Sequence, residues 1–230
     1  MTGRREPHSR LMVLFVLVLI AGSIIADGLS RRIHLPEPEA EEADTLPRGM
    51  CANYVISPYD SLIKVYSDSA GLDWRLVAAI IYHESGFDTD VRSRRGAAGL
   101  MQMMPSTAAW LGAEDITDPI EGVRVGTIYL KQLHNAYRGH TSDPEERLKF
   151  TLAAYNAGQG RIRDCINYAK IRGVDSSSWD NIVALIPEMS DDAILEIDTI
   201  KFGKFKGVET IAYVDNVMSK YEQYKRRAAR

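Results

Sequence analysis

The chain has 230 residues, 45% of them hydrophobic and 26% charged, with a formal charge of -3. That is ordinary globular composition, enough for one good core with appendages. Residues 1–34 hold five Arg against Glu6 and Asp27, so they carry +3 and the remainder carries -6; no basic stripe runs through the chain, which argues against nucleic acid as a partner, and the terminal "KRRAAR" reads as a solvated helix end.

In chain order, Arg4, Arg5 and Arg10 precede "LMVLFVLVLIAGSIIA", an uncharged run from Leu11 to Ala26. A positive region followed by an apolar segment is the layout of a secretory signal or a signal anchor. The run is slightly short for a bilayer span, although Gly28 and Leu29 extend it, and slightly long for a cleaved signal. Both readings stay open over residues 1–34, and both place the rest of the chain outside the cytoplasm, at the periplasmic face of the cell envelope. If the segment is uncleaved it is the contact with the membrane. Next comes "LPEPEAEEADTLPR", Leu35 to Arg48, acidic and rich in Pro. It has too little apolar surface to repay its own ordering entropy, so residues 35–58 read as a linker ahead of a domain at 59–230. Cys51 and Cys165 are the two cysteines. In an oxidising compartment they form either a bridge or two independent thiols.

From residue 59 onward the pattern is helical. "YDSLIKVYSDSAG" has Leu62, Ile63, Val65 and Tyr66 in helical register, with Gly71 as a stop. "DWRLVAAIIYHE" follows, with Asp73 as N-cap. Pro105 starts a short helix, "STAAWLG". Asp118-Pro119 and Asp143-Pro144 each pair an N-cap aspartate with a first-turn proline, predicting helices through Tyr137 and to Gly158. Further helices are predicted over 160–171, 179–186, 191–200 and 208–226. No alternating apolar pattern of useful length occurs, so the fold class is all-α with one long glycine-bearing loop between 86 and 99.

The helix over 73–84 raises the functional question. Leu76, Val77, Ile80 and Ile81 make one apolar stripe, and Glu84 follows Val77, Ile80 and Ile81 at spacings that keep it on that face. It also sits in the last turn, at the negative end of the helix dipole. Burial and dipole both raise a carboxyl's pKa, and a carboxyl protonated near neutral pH can serve as a general acid. By itself a glutamate at a helix end is more often plain surface. "HESGF" begins like the zinc motif His-Glu-x-x-His, but Phe87 stands where the second histidine is needed and no Cys pair has ligand spacing. Neither metal nor cofactor is expected.

The residues beyond Glu84 carry more. Glu84-Ser85 leads to Ser93 and then to "GAAGLMQMMPSTA", Gly96 to Ala108; "AYNAG" stands at 154–158 and "ETIAYV" at 209–214. Here the chain resembles the lytic transglycosylases of the soluble-lytic-transglycosylase family, which have a goose-type lysozyme fold. The resemblance covers about residues 60–220. It departs at Asp88-Thr89, where many members have Asn-Pro, and matches only loosely between 173 and the third block.

The resemblance implies a lysozyme-like helical domain with Glu84 as its acid and peptidoglycan glycan strands as its partner. In that chemistry the acid protonates the β-1,4 glycosidic oxygen between N-acetylmuramic acid and N-acetylglucosamine. The muramyl C6 hydroxyl then attacks C1 to give a 1,6-anhydro end. The resemblance also makes Ser93 a holder of a substrate oxygen, and Met104 and Tyr155 cleft residues. From the residues themselves, Gln102 offers donor and acceptor to a sugar. Gly96 and Gly99 let backbone approach a bulky ring. Glu209 and Tyr213, four apart on one helix, can point into one groove, although a solvated Glu beside a core Tyr fits the same spacing. Tyr155 shares the inward face of Leu148 and Leu152, which also fits a core aromatic. A monomer is expected. The rivals are a hydrolytic muramidase directing water with Asp88 or Asp90, and a wall-binding module without activity.

Overall fold

The computed structural model describes residues 55–228. The apolar run, the acidic segment and Cys51 lie outside the described residues, so the anchor-or-signal alternative and the cysteine bridge do too. Cys165 is buried, and burial pushes its thiol up to about 12.

Among the described residues the regular structure is helical: α1 Asp60–Ala70, α2 Trp74–Ser85, α3 Pro105–Trp110, α4 Pro119–Ala136, α5 Pro144–Ala157, α6 Gln159–Ile171, α7 Trp179–Leu185 and α8 Val208–Ala228. The all-α expectation holds. The predicted starts rest on real caps. Asp73 accepts from Arg75 N–H, Asp118 from Ile120 N–H, and Asp143 from Glu145 and Glu146 N–H, each pairing a side-chain oxygen with a donor the helix leaves free. Gly71 and Gly86 end α1 and α2 in the left-handed conformation, at φ 63° each.

The predicted helix over 191–200 is not there. A tight 3-10 turn covers Asp192–Glu196, and Ile197 turns extended. Asp191 caps Ala193 N–H, but the segment then leaves helical geometry, and its buried apolar residues are Ile194 and Ile200, one on each side of the break. A single buried anchor per turn is too little apolar surface to hold a longer helix.

α2 is the axis of the domain. Leu76 through Ile81 are all buried, which a helix manages only with neighbours on several sides. It packs against α1 and along α8; α5 in turn packs against α4, α6 and α8. The core built between them includes Ile63, Leu130, Phe150, Leu152, Ile162, Trp179 and Val217. Because α8 runs beside α2, the polar residues of α8 reach both ends of it. Tyr221 donates to Asp73 at one end, 2.9 Å, and Tyr213 donates to Glu84 at the other, 2.7 Å.

Candidate active site

Glu84 sits in the last turn of α2, half-buried. Its Oε1 accepts the Tyr213 hydroxyl at 2.7 Å. Its Oε2 takes no hydrogen bond from the described residues, yet it is not among the polar atoms sealed from solvent, so it is the oxygen open to an incoming ligand. Burial raises the carboxyl and the Tyr213 hydrogen bond lowers it, with a net value of about 7. Tyr213 is held protonated well above its ordinary range, by burial first and then by the Glu84 charge. It is therefore a donor at any working pH.

The loop after α2 is built as a cradle. Gly86 and Phe87 both take positive φ, 63° and 68°, so the chain reverses at once beyond Glu84. A left-handed phenylalanine is strained and stands only where its surroundings hold it. Ser85 supplies one tie: its hydroxyl donates to Leu100 O at 2.9 Å and fixes the far end of the loop to the helix that carries Glu84. Gln102, left-handed at φ 45°, supplies another. Its amide Nε2 donates to Val91 O at 2.8 Å and to Gly99 O at 3.0 Å. Tyr155, on α5, closes the third side by donating to Met101 O at 2.7 Å, with Met103 Sδ at 3.4 Å.

The expected site residues therefore divide. Glu84, Tyr213 and Tyr155 converge: the Glu84 charge also contributes to holding Tyr155 protonated. Gln102 borders the site, but both of its N–H donors are used on loop carbonyls, so only its oxygen remains to offer a ligand. Ser93 is exposed, and its Oγ accepts Ala97 N–H at 2.9 Å, which leaves its own proton able to turn outward. Met104 stands 41% exposed at the N-cap of α3, whereas Met101 and Met103 are core. Glu209 is solvent-exposed on the first turn of α8 and makes no hydrogen bond or ion pair with the described residues, so the solvated alternative describes its present state.

Gly99 corrects the expectation that it makes room for a sugar. A Cβ there would lie 1.9 Å from Ile116 O, so the close approach is to the chain's own backbone. Gly126 likewise admits Met101, whose Sδ would be 2.3 Å from an added Cβ. Gly96, at φ 87°, has open space and still leaves room for a ring. Two contacts went unread in the sequence. Ser85 lies inside the quoted Glu-Ser motif without an assigned task. Thr210 donates to Asn156 Oδ1 at 2.8 Å, joining "ETIAYV" to "AYNAG". The signal was the presence of both in the same ordered blocks.

Asp88 and Asp90, the carboxylates weighed for directing water, are exposed on the loop, and Asp88 Oδ1 accepts Asp90 N–H at 2.9 Å. No second carboxylate contributes to the Glu84 shift. Among the described residues no cluster of His, Cys, Asp and Glu has the makings of a metal site. The arrangement is one protonatable carboxyl with a fixed donor on one oxygen and an open second oxygen, at the lip of a loop tied down from three sides.

The family model described as Transglycosylase SLT domain matches residues 61–176. The chain is 33% identical over 168 residues to membrane-bound lytic murein transglycosylase F of Desulfosudis oleivorans, covering 73% of this chain and 36% of that one. It is 36% identical over 159 residues to the protein of the same name from Maricaulis maris, covering 69% and 34%. It thus spans about a third of the length of these curated relatives. Among solved structures it is similar to the 70 kDa soluble lytic transglycosylase of Escherichia coli, with a TM-score of 0.50 and 28% identity, covering 73% of this chain and 24% of that one.

Proposed function

The chain belongs to the Transglycosylase SLT domain family, and on that premise we propose that residues 59–230 act as a peptidoglycan lytic transglycosylase with Glu84 as the single acid and base. Its product is a 1,6-anhydromuramyl end, formed without water. The observation that carries this reading is the state of Glu84: half-buried with its carboxyl desolvated, shifted to about 7, bonded on Oε1 by Tyr213 and open on Oε2.

The geometry runs the chemistry in two strokes. Protonated Glu84 gives its proton from Oε2 to the glycosidic oxygen, and the C1–O4 bond breaks as that oxygen leaves as a hydroxyl. The carboxylate left behind keeps the Tyr213 hydrogen bond on Oε1, which stabilises the charge just formed. It then takes the proton of the muramyl C6 hydroxyl while that oxygen bonds to C1. Proton count and charge are restored, so no second carboxyl and no water are needed. Asp88 and Asp90, both exposed and with Asp88 turned onto the Asp90 backbone N–H, do not favour the hydrolytic alternative. Tyr155, Ser93, Gln102 Oε1, Met104 and Glu209 are assigned to holding the glycan along the cleft.

The relatives carry "membrane-bound" in their names, and the run Leu11–Ala26 gives this chain an apolar segment of its own outside the described residues. Among the described residues no helix is long and apolar enough to cross a membrane. We assign the chain to the cell envelope, with the acidic segment 35–48 giving the domain reach toward the wall.

The test is digestion of purified peptidoglycan by the full chain and by Glu84→Gln, with mass spectrometry of the released muropeptides. Products one water lighter than hydrolytic ones, absent with the variant, are expected. Hydrated reducing ends would overturn the transglycosylase reading in favour of water as acceptor. Equal binding by both chains without any cutting would make the domain a wall-binding module.

A further inference from the structure

The segment before α8 is laced to α6 by contacts that the catalytic reading does not use. Asp164 is buried on α6, and its Oδ2 accepts the N–H groups of both Lys201 and Phe202, at 2.8 and 2.6 Å. Arg161 donates to Lys204 O at 2.7 Å, and Asn167 to Thr199 O at 3.4 Å. The Phe202 ring rests on Gly160: a Cβ there would lie 2.2 Å from its Cζ, so any side chain at 160 would push the ring outward. A buried carboxylate and an arginine thus fix the backbone that carries Phe202, and Gly160 leaves room for its ring. Yet they do not bury it. Phe202 remains 48% exposed, while Phe205, three residues on, is buried. Leu195, 60% exposed, reaches to within 3.8 Å of a Cβ at neighbouring Gly203, and Val208, 70% exposed, follows on the same segment.

A half-exposed ring on an anchored backbone, grouped with two further exposed apolar side chains, presents a flat apolar face to a ligand. Its place is set by the chain. Gly160 opens α6 directly after α5 has delivered Tyr155 and Asn156. Asn156 is bonded to Thr210 of α8, and Tyr213 lies one turn further along α8, on Glu84. The seam between α5 and α8 therefore runs from Glu84 and Tyr213, past Asn156 and Thr210, to the corner where Phe202 stands.

We propose that Phe202, with Leu195 and Val208 as its apolar surround, is a sugar-stacking subsite at the far end of this seam. It takes the C–H face of an N-acetylhexosamine ring away from the bond being cut. The inference rests on the transglycosylase reading. It predicts that Phe202 acts on long glycans and not on short ones, because a ligand filling only the Glu84 end never reaches it.

The test uses the full chain carrying Glu84→Gln, titrated with β-1,4-linked N-acetylglucosamine oligomers of two and six units. Adding Phe202→Ala should weaken the six-unit Kd about tenfold, the loss of one good contact, and leave the two-unit Kd unchanged. Phe202→Tyr should bind as Phe202 does, and Phe202→Leu, which keeps an apolar side chain without the flat ring, should fail as Ala does. Unchanged six-unit affinity in Phe202→Ala, equal weakening for both lengths, full affinity in Phe202→Leu, or no binding of the six-unit oligomer by the Glu84→Gln chain would each overturn the subsite. Digestion of peptidoglycan separates this failure from that of the underlying reading: a chain that yields anhydro products but ignores Phe202 loses only the subsite.

Discussion

Replacing Glu84 by Gln changes how stability depends on pH, and the size of the change follows from the site. An unfolded glutamate ionises near 4.5, and the folded one near about 7. Between those values the folded chain holds a proton that the unfolded chain has released, so stability falls as pH rises. The stabilisation is fully present below 4.5 and is lost as pH climbs through about 7. At about 1.36 kcal/mol per pKa unit, the wild type is destabilised by roughly 3 kcal/mol across this window through Glu84 alone. Gln has no proton to lose and can still accept the Tyr213 hydroxyl. Subtracting wild-type from variant stability cancels the other titrating groups. That difference should be flat below about pH 4.5, rise by roughly 3 kcal/mol in favour of Glu84→Gln by about pH 8, and then level off. For a domain of this size the gain at about pH 8 corresponds to roughly 6–12 °C in Tm. Urea denaturation of both chains at half-unit steps from about pH 4 to about pH 9 measures it. A difference that stays flat throughout would mean that Glu84 ionises like a surface carboxylate, and the argument for a neutral-pH acid would fail with it.

Tyr213→Phe removes the one contact that lowers the Glu84 pKa. A hydrogen bond to a charged group is worth about 1.5–3 kcal/mol, so the Glu84 pKa should rise by about one to two units. The alkaline limb of kcat/KM against pH should move up by that amount while the maximum falls, because the intermediate carboxylate has lost its donor; an unmoved limb would mean that Tyr213 does not act through Glu84. Gln102→Glu sets an ionised carboxylate against Val91 O and Gly99 O, where two N–H donors now stand. Denaturation should show a loss of about 2 kcal/mol or more, and a neutral result would place the ordering of the loop elsewhere.

How much of the fold and the site was legible in the sequence depends on whether the signal was local. N-caps and stop glycines are local, and Asp73, Asp118, Asp143, Gly71 and Gly158 stand where composition puts them. The burial of Glu84 was legible because it follows from helical spacing behind Val77, Ile80 and Ile81. The 3-10 turn at Asp192–Glu196 was not. A run with helical composition does not reveal that only Ile194 and then Ile200 find a place in the core, too few anchors to hold a longer helix. Gln102 was legible only in part: an amide reads as donor and acceptor for a sugar, and only the two carbonyls that face its Nε2 show that the oxygen alone is left for one. Gly99 and Gly126 show the same limit, since the atoms that forbid a side chain there belong to Ile116 and Met101.

A one-carboxyl mechanism places a stricter demand on its residue than a two-carboxyl one. With two groups, separate environments can hold one protonated and the other ionised. A single group has to donate, stand as an anion, and accept again at the same pH. Burial alone would favour the donor and make the anion too costly; a hydrogen bond alone would favour the anion and leave nothing to donate. In this chain the two influences act on one carboxyl from opposite directions, desolvation upward and Tyr213 downward, and they balance at about 7. The balance is built from parts far apart in sequence, α2 for the burial and α8 for the donor, which is why the packing of those two helices along their length matters to the chemistry. Tyr221 on Asp73, at the opposite end of the same pair, fixes the registration that brings Tyr213 onto Glu84. The pKa of the acid is in this sense a property of how α8 lies on α2, and the stability difference between Glu84 and Gln measures that property without any substrate.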